Sequence, residues 1–499
     1  MTTPASTSGA RAAGRGSDRV LALDLGTSSV RALLCDGSAE PIGSAIARRP
    51  VRARQDSTGA AEVDADAYLA ALVACLDELQ SADALTGIRL VATSSQWHSV
   101  LALEPDGRPA SPVLTWLDTR AGVGDRRPDD PEAYHRRTGA FVHPLYWSAK
   151  VPFLRTNFSL DQATLPGSRD LRFAGLTEYL RQRLLGDDAI SLSMASGTGM
   201  LDTVTGRWDP EALAIGGVTE RQLPEVDDRA GRPTAEFARR WPGLAGADWM
   251  PALGDGASST LGAGAFDGPT AGVTVGTSAA ARVVSELPLA SASGSSVDTQ
   301  PAPDLHPGLW RYRVDHRRIL TGSAVSGGGV LHEWLRSFLG EVREPSLPPG
   351  IASAGVAVTP LHAGSRPPEV VPGGSGVVSG LGLTTSPEQL VAATYEGVAL
   401  ELLRSVELLD TAFGQRLPVV LGGGAVAASP WWRRAIAAAF DRPVRYQPHP
   451  EVGARGAAAL ALGIHVPPPE EDVPVEPRAT AAMREARVRF DRARGWVTG

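Results

Sequence analysis

Two short turns of small residues have the composition of a phosphate-binding site. Each turn reads Gly-Thr-Ser and lies between two apolar segments, and the second follows the first by about 250 residues. Glycine and hydroxyl residues expose successive backbone N–H groups with little side-chain bulk, which is what phosphate oxygens require. One such turn is typical of an ordinary hairpin, whereas two in equivalent places favour phosphate binding. The turns are Gly26, Thr27 and Ser28, and Gly276, Thr277 and Ser278.

Two aspartates stand where they can act on bound phosphate. Asp24 lies two residues before Gly26, the first residue of the first turn. A carboxylate beside a phosphate is well placed only when a divalent cation offsets the repulsion, so Asp24 indicates Mg²⁺. Asp255 lies between Gly254 and Gly256 at a predicted helix start, which leaves its carboxylate the space to reach a substrate hydroxyl as a general base. The alternative for Asp255 is an ordinary turn or N-cap residue.

A third glycine-rich segment follows an apolar strand in the second half of the chain. It is built from Gly422, Gly423 and Gly424, and a helix capped by Ser429 follows. The absence of side chains lets a flat ligand approach the backbone closely. The spacing matches neither the P-loop nor the dinucleotide fingerprint, which makes a Rossmann dehydrogenase a poor fit. A plain strand-to-helix turn is the alternative.

Aromatic, basic and acidic residues cluster in the first half and could hold a small polar substrate. Trp97 and His98 follow the end of a predicted strand, and Trp116, Asp118 and Arg120 occupy every second position of the next apolar stretch. If that stretch is extended, the side chains of Trp116, Asp118 and Arg120 lie on one face. An aromatic ring with His, Asp and Arg suits hydroxyl groups and a carboxylate. The alternative is a buried core histidine with a structural Asp–Arg pair.

The elements that position these residues repeat along the chain. Each Gly-Thr-Ser turn joins two apolar strands, and an arginine lies in each returning strand, so the chain reads as a diverged duplication. The clearest helix begins after Ser386, with Pro387 at its first position and Gln389 completing a capping box, and it ends at Gly414. The whole pattern is an α/β mixture.

Composition bounds the fold and the partners. A chain of 499 residues that is 43% hydrophobic predicts two domains, each with its own core. The net charge of −7 carries no basic block or stripe, which argues against a nucleic-acid partner. Two cysteines supply neither a zinc quartet nor a disulfide framework. Lys150 is the only lysine among the 48 basic residues.

The chain has no run of the ~20 apolar residues that a membrane helix needs, and residues 1–17 lack the apolar stretch of a secretory signal. We therefore expect no membrane partner and a cytoplasmic location. The expected partners are a small molecule and a nucleotide, and a homodimer is left open.

Taken in order, six segments resemble the FGGY family of carbohydrate kinases from about Val20 to Ile464. The segments are ALDLGTSSVRALLCD, SSQWHS, PVLTWLDTR, GDGA, VGTSAA and LGGGAVAASPWW. The resemblance implies two ribonuclease-H/actin-like domains with the active site in the cleft between them. We predict a disordered tail over residues 1–17, a sugar-binding domain over 18–260, an ATP-binding domain over 261–465, and a linker with a C-terminal helix over 466–499.

The resemblance also implies roles for individual residues. ATP and Mg²⁺ are the implied cofactors, with Asp24 acting on the metal and Asp255 as the catalytic base. Trp97 and His98 match the Met-His pair that touches the sugar in xylulose kinases. Glycerol kinases carry Arg-Glu near that place, which argues against glycerol.

Within the family the chain is most similar to gluconate kinases, as in TGAFVHPLYWSAK and SLSMASGTGMLDTVTGRWD. Phosphorylation of gluconate to 6-phosphogluconate is therefore expected, with xylulose or another pentulose or polyol as the alternative acceptor. Ser365 and Arg455 depart from the family pattern and place the acceptor and full activity in question. A non-catalytic actin-like ATPase or a sugar sensor is the alternative from another class.

Overall fold

A computed structural model describes residues 19–122, 126–158, 160, 171–266, 268–287, 304–362, 364 and 373–498. The predicted N-terminal tail and Ser365 lie outside the described residues. Over the described part, the chain forms two α/β halves, each built on a six-stranded sheet. None of the helices in these ranges is long and apolar enough to cross a membrane.

The strands of the first half, in chain order, are β1 (Arg19–Leu25), β2 (Ser29–Cys35), β3 (Pro41–Pro50), β4 (Arg54–Gln55), β5 (Ala61–Val63), β6 (Ile88–Ser95), β7 (Leu101–Leu103), β8 (Val113–Leu114), β9 (Arg172–Ala174), β10 (Leu201–Asp202), β11 (Arg207–Trp208), β12 (Asp248–Trp249) and β13 (Leu253–Gly254). Those of the second half are β14 (Ala271–Val275), β15 (Ala279–Glu286), β16 (Trp310–Arg313), β17 (Arg318–Val325), β18 (Ala357–Val358), β19 (Val378–Ser379), β20 (Val419–Gly422) and β21 (Val444–Tyr446).

The α-helices are α1 (Ala65–Ser81), α2 (Pro131–Thr138), α3 (Trp147–Asn157), α4 (Leu176–Leu185), α5 (Leu192–Gly197), α6 (Pro210–Gly216), α7 (Ala235–Arg240), α8 (Asp255–Gly262), α9 (Gly329–Leu339), α10 (Pro387–Phe413), α11 (Gly424–Ala428), α12 (Pro430–Phe440), α13 (Val452–Leu462) and α14 (Pro477–Thr498). Helix α10 has the predicted capping box between Ser386 and Gln389, and Gly414 ends it in the left-handed conformation.

The two large sheets have the same topology. In the first, strands β3, β2 and β1 are antiparallel neighbours, and β6 and β12 then continue parallel to β1. In the second, β17, β15 and β14 are antiparallel, and β20 and β21 continue in parallel, with β16 added at the outer edge. The prediction of a duplicated, two-domain ribonuclease-H/actin-like fold is confirmed. Each Gly-Thr-Ser turn joins the first two strands of its sheet.

Two helices cross between the halves at a close contact. Helix α8 packs on β15 of the second sheet, while α13 packs on β1 and β6 of the first. A Cβ at Gly262 would lie 1.8 Å from the Val452 carbonyl oxygen, and one at Gly456 would lie 1.9 Å from that of Ser258. Only glycine permits such an approach of two backbones. The predicted domain boundary at residues 260 and 261 falls inside α8.

Strand β16 also ties the halves together. The Arg311 N–H donates to the Gly139 carbonyl at 2.9 Å, and the Arg313 N–H donates to the Ser196 hydroxyl at 2.8 Å. One hydrophobic core accordingly includes Trp97 and Trp147 from the first half with Trp310 from the second. The cleft between the two sheets is closed on one side by this shared core.

Candidate active site

A cavity of about 110 Å³ lies between the halves, with walls from both. The first half contributes Trp97, His98, Trp116, Phe141, His143, Leu145 and Tyr146, and the remainder of the wall is Asp255, Ser278, Ala279, Ala280, Arg282, Trp310, Tyr312 and Ala324. Aromatic rings dominate the wall, and one carboxylate lies among them. A concave aromatic site with a few polar groups is typical of a small polar ligand.

Asp255 occupies the first position of α8, as the sequence predicts. Strand β13 runs parallel to the end of β6 and delivers the chain to this point, with Gly254 as the N-cap residue. The carboxylate accepts the Gly256 N–H at 2.8 Å and is open to the cleft. Because protein surrounds the cleft, burial raises the pKa of Asp255 to about 6, although the positive charge of Arg282 opposes the rise. An acid with this pKa suits proton transfer near neutral pH.

Trp97 fills the space left by two glycines. A Cβ at Gly254 would lie 1.7 Å from the indole ring, and one at Gly197 would lie 2.2 Å from it. The indole N–H donates to the Ser193 carbonyl at 2.9 Å. Trp97 is 5% exposed, so it forms the floor of the cavity and holds the start of α8 in place at the same time.

His98 adopts a backbone conformation that is uncommon for a residue with a side chain. Its φ is 68°, and its Nδ1 lies 2.5 Å from the Gly197 carbonyl oxygen. A carbonyl only accepts hydrogen bonds, so Nδ1 carries a proton and donates it to Gly197. This geometry directs the ring of His98 into the cavity beside Tyr312, at 5.7 Å between ring centroids.

The single lysine fixes the backbone of this wall. Lys150 has no exposed surface, and its ammonium donates to the carbonyl oxygen of His98 at 3.1 Å and to that of Thr115 at 2.7 Å. These two carbonyls belong to the segments that carry Trp97 and Trp116. A compact ammonium with three donors therefore joins two walls of the cavity at one point.

Substitution of Lys150 by arginine tests this arrangement. We expect Lys150→Arg to lower the free energy of unfolding by about 1–3 kcal/mol, because the longer, planar guanidinium does not fit the closed site. We also expect a lower kcat/KM through a higher KM for the acceptor, since His98 and Trp116 shift together. Thermal unfolding and acceptor kinetics measure the two effects. Wild-type values for both would show that the lone lysine has no such role.

Trp116 connects the cavity with the first phosphate turn. Its indole N–H donates to the Thr27 hydroxyl at 2.9 Å, and that hydroxyl lies 3.3 Å from the Gln96 side-chain oxygen. The Gly26 carbonyl accepts a hydrogen bond from the Tyr68 hydroxyl at 2.9 Å. The turn is thus held on both sides, which keeps its position relative to the cavity.

The predicted extended face through Trp116, Asp118 and Arg120 does not form. Strand β8 ends at Leu114, and the Asp118 N–H donates to the Thr115 carbonyl at 3.1 Å, so the chain turns at Trp116. The Thr115 hydroxyl also accepts the Leu117 N–H. Such local hydrogen bonds of threonine compete with an extended strand. Trp116 consequently faces the cavity without the other two residues.

Asp118 and Arg120 form a buried network behind the cavity wall. Asp118 accepts the Ala61 N–H at 3.0 Å and pairs with Arg120 at 2.6 Å. The Arg120 guanidinium also pairs with Glu62 at 2.7 Å and lies over the Phe153 ring. Neither residue lines the cavity. Contact of Asp118 and Arg120 with a substrate stays a prediction, and their contacts in the structure brace the turn that carries Trp116.

Asp24 lies at the end of β1, buried, and its carboxylate pairs with Arg31. The other end of the Arg31 guanidinium binds Glu451 at 2.6 Å. Burial raises the pKa of Asp24, while Arg31 opposes the rise. The described residues contain no group of three or more histidine, cysteine or acidic side chains that could hold a metal.

The oxygen atoms near Asp24 suit a magnesium ion that is bound partly by the protein and partly by phosphate. A Cβ at Gly453 would lie 3.4 Å from the Ser94 hydroxyl and 3.9 Å from the Asp24 carboxylate, so these two groups face the same space. The buried Ser94 hydroxyl has no hydrogen-bond partner among the described residues. Mg²⁺ is usually bound through one or two carboxylates, with phosphates and water completing its shell. A single carboxylate beside a predicted phosphate-binding turn matches that mode of coordination.

The second turn and the third glycine segment are neighbours in the second sheet. Strands β14 and β20, which precede them, are parallel partners. Gly423 has a φ of 110°, and a Cβ there would lie 2.4 Å from the Val275 carbonyl oxygen, so both conformation and space require glycine. The N–H of Gly329, at the start of α9, donates to the Gly276 carbonyl at 2.7 Å. Contact of Gly276, Thr277, Gly422, Gly423 and Gly424 with a nucleotide stays a prediction.

The sequence-based choice of site residues missed several residues that line the cavity. Among them are His143, Tyr146, Arg282, Trp310 and Tyr312. The hydroxyls of Tyr146 and Tyr312 lie 2.7 Å apart and join the two halves, a contact between residues far apart in the chain that no local pattern predicts. For Arg282 a signal existed, because an arginine follows each phosphate turn.

Arg455, one of the departures from the family pattern, does not line the cavity. Its guanidinium pairs with Glu40 in the turn between β2 and β3, and lies 3.4 Å from the Gly262 carbonyl oxygen. The larger side chain therefore supports the crossing of α8 and α13. Ser365, the other departure, is outside the described residues.

Known proteins match the chain over nearly all of this architecture. The N-terminal domain of the FGGY family of carbohydrate kinases matches residues 19–262, and its C-terminal domain matches residues 271–463. The chain is thus a two-domain sugar kinase that uses ATP. It belongs to the FGGY family of carbohydrate kinases.

Relatives with different acceptors are about equally similar. The gluconokinase of Bacillus subtilis (strain 168) is 26% identical over 470 residues, which cover 89% of this chain and 87% of that protein. The xylulose kinase of Klebsiella pneumoniae is 26% identical over 466 residues, covering 89% and 90%. The gluconate kinase of Lactobacillus acidophilus shares the fold, with a TM-score of 0.81 at 22% identity over 97% of this chain and 98% of that one.

Proposed function

We propose that this kinase phosphorylates gluconate to 6-phosphogluconate, with Asp255 as the catalytic base. The observation that carries the proposal is the position of Asp255 at the start of α8, facing a cavity that both halves line. The pKa of about 6 supports this role, because the carboxylate is ionised at neutral pH and still basic enough to take a proton.

In the proposed reaction, the terminal hydroxyl of the acceptor attacks the γ-phosphorus of ATP in line. Its proton passes to Asp255, and the bond between the γ-phosphorus and the bridging oxygen of ADP breaks. The backbone N–H groups of the two Gly-Thr-Ser turns hold the phosphate oxygens. His98 and Trp116 orient the acceptor, and Gly422, Gly423 and Gly424 leave room for the adenosine. The enclosed cleft limits the access of water, which would otherwise compete as acceptor.

Asp24 would hold Mg²⁺ together with the phosphates of ATP. When bound, the ion neutralises charge on the β- and γ-phosphates. The Ser94 hydroxyl faces the same space as Asp24 and can bind a water of the ion's shell. Arg31 pairs with Asp24, so it too lies near the phosphate turn.

The metal role of Asp24 predicts a change in magnesium dependence. We expect Asp24→Ala to raise the Mg²⁺ concentration for half-maximal activity by ~10-fold or more and to weaken nucleotide binding. Titration of activity with Mg²⁺ at saturating acceptor measures the effect. The matched control is Glu451→Gln, because Glu451 shares Arg31 with Asp24. Equal magnesium curves for wild type and Asp24→Ala, at equal stability, would remove Asp24 from the metal site.

We propose gluconate as the acceptor because the chain is similar to the gluconokinases of two organisms, Bacillus subtilis and Bacillus licheniformis. Xylulose is the second candidate, on the similarity to xylulose kinases. The test is an ADP-release screen over gluconate, xylulose, ribulose, fuculose, erythritol and glycerol. Xylulose turned over about ten times more efficiently than gluconate would contradict the assignment while leaving the kinase activity in place.

A further inference from the structure

The threonine of the first Gly-Thr-Ser turn is tied to the wall of the cavity through its side chain. The Trp116 indole N–H donates to the Thr27 hydroxyl at 2.9 Å. That hydroxyl lies 3.3 Å from the Gln96 side-chain oxygen, which only accepts hydrogen bonds, so Thr27 donates its own proton there. Trp116 lines the cavity and Thr27 does not. The Thr27 hydroxyl therefore anchors the turn to a residue of the wall.

The backbone of the same turn keeps the donors that a phosphate needs. Within the ranges that the structure describes, no protein group accepts the N–H of Thr27 or of Ser28. The Gly26 N–H donates to the Ser29 carbonyl at 3.1 Å, and the Val51 N–H donates to the Ser28 carbonyl at 2.9 Å. Successive backbone N–H groups of a turn can bind an anion together. The position of two phosphate donors thus depends on where the side chain of Thr27 is held.

The backbone that carries Trp116 is held firmly, so the side chain is the part that can adjust. The N–H and the hydroxyl of Thr115 both donate to the Ala61 carbonyl, at 3.0 and 3.1 Å. The Lys150 ammonium donates to the Thr115 carbonyl at 2.7 Å. Trp116 itself is partly exposed. An acceptor that packs on the ring restricts rotation of the indole and so keeps its N–H on Thr27.

The second Gly-Thr-Ser turn has a different anchor. The carbonyls of Gly276 and Thr277 accept the N–H groups of Gly329 and Val330 at 2.7 and 3.1 Å. Ser278 of this turn lines the cavity, but the residues of α9 that hold the turn do not. These bonds join backbone to backbone within the second half. The link from a phosphate turn to a side chain of the cavity wall is thus a property of the first turn.

We infer that Trp116 is a positioning residue that couples the two substrates, because an acceptor in the cavity strengthens binding of the γ-phosphate through Trp116 and Thr27. This inference rests on the proposed function, which places the acceptor against Trp116. By linkage, the nucleotide strengthens acceptor binding by the same factor. The coupling favours transfer to the acceptor over transfer to water, since the phosphate donors are held most firmly when the cavity is filled.

The test measures the dissociation constant of a non-hydrolysable ATP analogue with Mg²⁺, with and without saturating acceptor. The acceptor is the one that wild type phosphorylates in the ADP-release screen, gluconate or another, so the gluconate assignment does not decide the result. Thr27→Val removes the hydroxyl and keeps the shape, Thr27→Ser keeps the hydroxyl, and Trp116→Phe keeps an aromatic ring without the N–H.

Tyr68→Phe is the matched control. The Tyr68 hydroxyl holds the other side of the turn, because it donates to the Gly26 carbonyl at 2.9 Å, and Tyr68 does not line the cavity. Its removal loosens the turn without touching the link to Trp116. We therefore expect Tyr68→Phe to weaken binding of the analogue equally with and without acceptor, so that the ratio of the two constants stays at the wild-type value.

We expect the acceptor to tighten binding of the analogue by ~10-fold in wild type and Thr27→Ser, and by less than about twofold in Thr27→Val and Trp116→Phe. The double variant of Thr27→Val and Trp116→Phe should lose no more than either single variant, because both remove the same hydrogen bond. Without nucleotide, the acceptor should bind Thr27→Val as tightly as wild type, since Thr27 does not line the cavity.

A wild-type ratio in Thr27→Val would overturn the inference, because the coupling would then pass through another contact. Equal loss of the ratio in Tyr68→Phe would also overturn it, since any loosening of the turn would have the same effect. So would a wild type that binds the analogue equally well with and without acceptor. These three outcomes leave the kinase activity in place. A wild type that phosphorylates none of the screened acceptors would instead contradict the proposed function, and the inference would fail with it.

Discussion

Asp255→Asn is expected to lower kcat by ~10²- to 10⁴-fold while ATP binding stays close to wild type. Asparagine has the same shape as aspartate and cannot take the proton of the attacking hydroxyl. Because the carboxylate accepts one local hydrogen bond, from Gly256, the fold should tolerate the change. Steady-state kinetics, nucleotide binding and a melting curve measure the three quantities.

The pH dependence of the wild type provides a second check on Asp255. The base must be ionised to act, so kcat/KM should be at its plateau above pH 7 and should fall as the pH drops through about 6. In Asp255→Asn this acidic limb should be absent from the residual activity. Asp228→Asn is a suitable control, because burial also raises the pKa of Asp228 and it does not line the cavity.

A variant with activity within about threefold of wild type would remove Asp255 from the mechanism. A flat pH profile between 5 and 8 would argue that another group accepts the proton. Loss of ATP binding in a folded Asp255→Asn protein would instead place the residue in the nucleotide site, which contradicts its proposed role.

Gly456→Ala is expected to destabilise the protein by about 3 kcal/mol, the upper end for a single added methyl group. The new Cβ would lie 1.9 Å from the Ser258 carbonyl oxygen and 2.7 Å from the Gly262 backbone nitrogen. These neighbours are helix backbone, which cannot move aside as a flexible side chain would, so α8 and α13 must separate. Thermal unfolding measures the loss.

The same substitution should reduce activity, because α8 begins at Asp255. A displacement of the helix by about 1 Å can cost ~10²-fold in rate at a reacting centre, and we expect kcat to fall more than ATP affinity. Gly453→Ala on the same helix is the control for stability alone, since its Cβ would meet the nearest atom at an ordinary 3.4 Å but would face the space beside Ser94 and Asp24. Equal stability of Gly456→Ala and Gly453→Ala would show that α8 and α13 pack less closely than they do in the structure.

Local patterns were sufficient to predict the framework of the fold. The two strand-turn-strand units, the start of α8 at Asp255 and the capping box of α10 all depend on residues within a few positions of each other. Turn chemistry, N-caps and alternating burial act at that range, so they can be read from the chain directly. The repeat of the unit then indicated two similar sheets, and the observed strand order agrees.

The composition of the cavity was decided by contacts between distant parts of the chain. Arg120 follows Trp116 by only four residues, yet the turn at Thr115 places it behind the cavity wall, where it pairs with Glu62. Arg282 reaches the cavity because α8 leaves the first half and packs on β15 of the second sheet.

Lys150 is a second residue whose role depends on contacts with distant parts of the chain. Its uniqueness was evident from the sequence, but its partners, the carbonyls of His98 and Thr115, lie 52 and 35 residues away. The sequence by itself determined the class of fold, the repeated phosphate turns and the position of the proposed base, because short-range backbone preferences encode them. Only the tertiary structure decided which charged side chains face the acceptor, because that depends on how the two sheets and the crossing helices pack together.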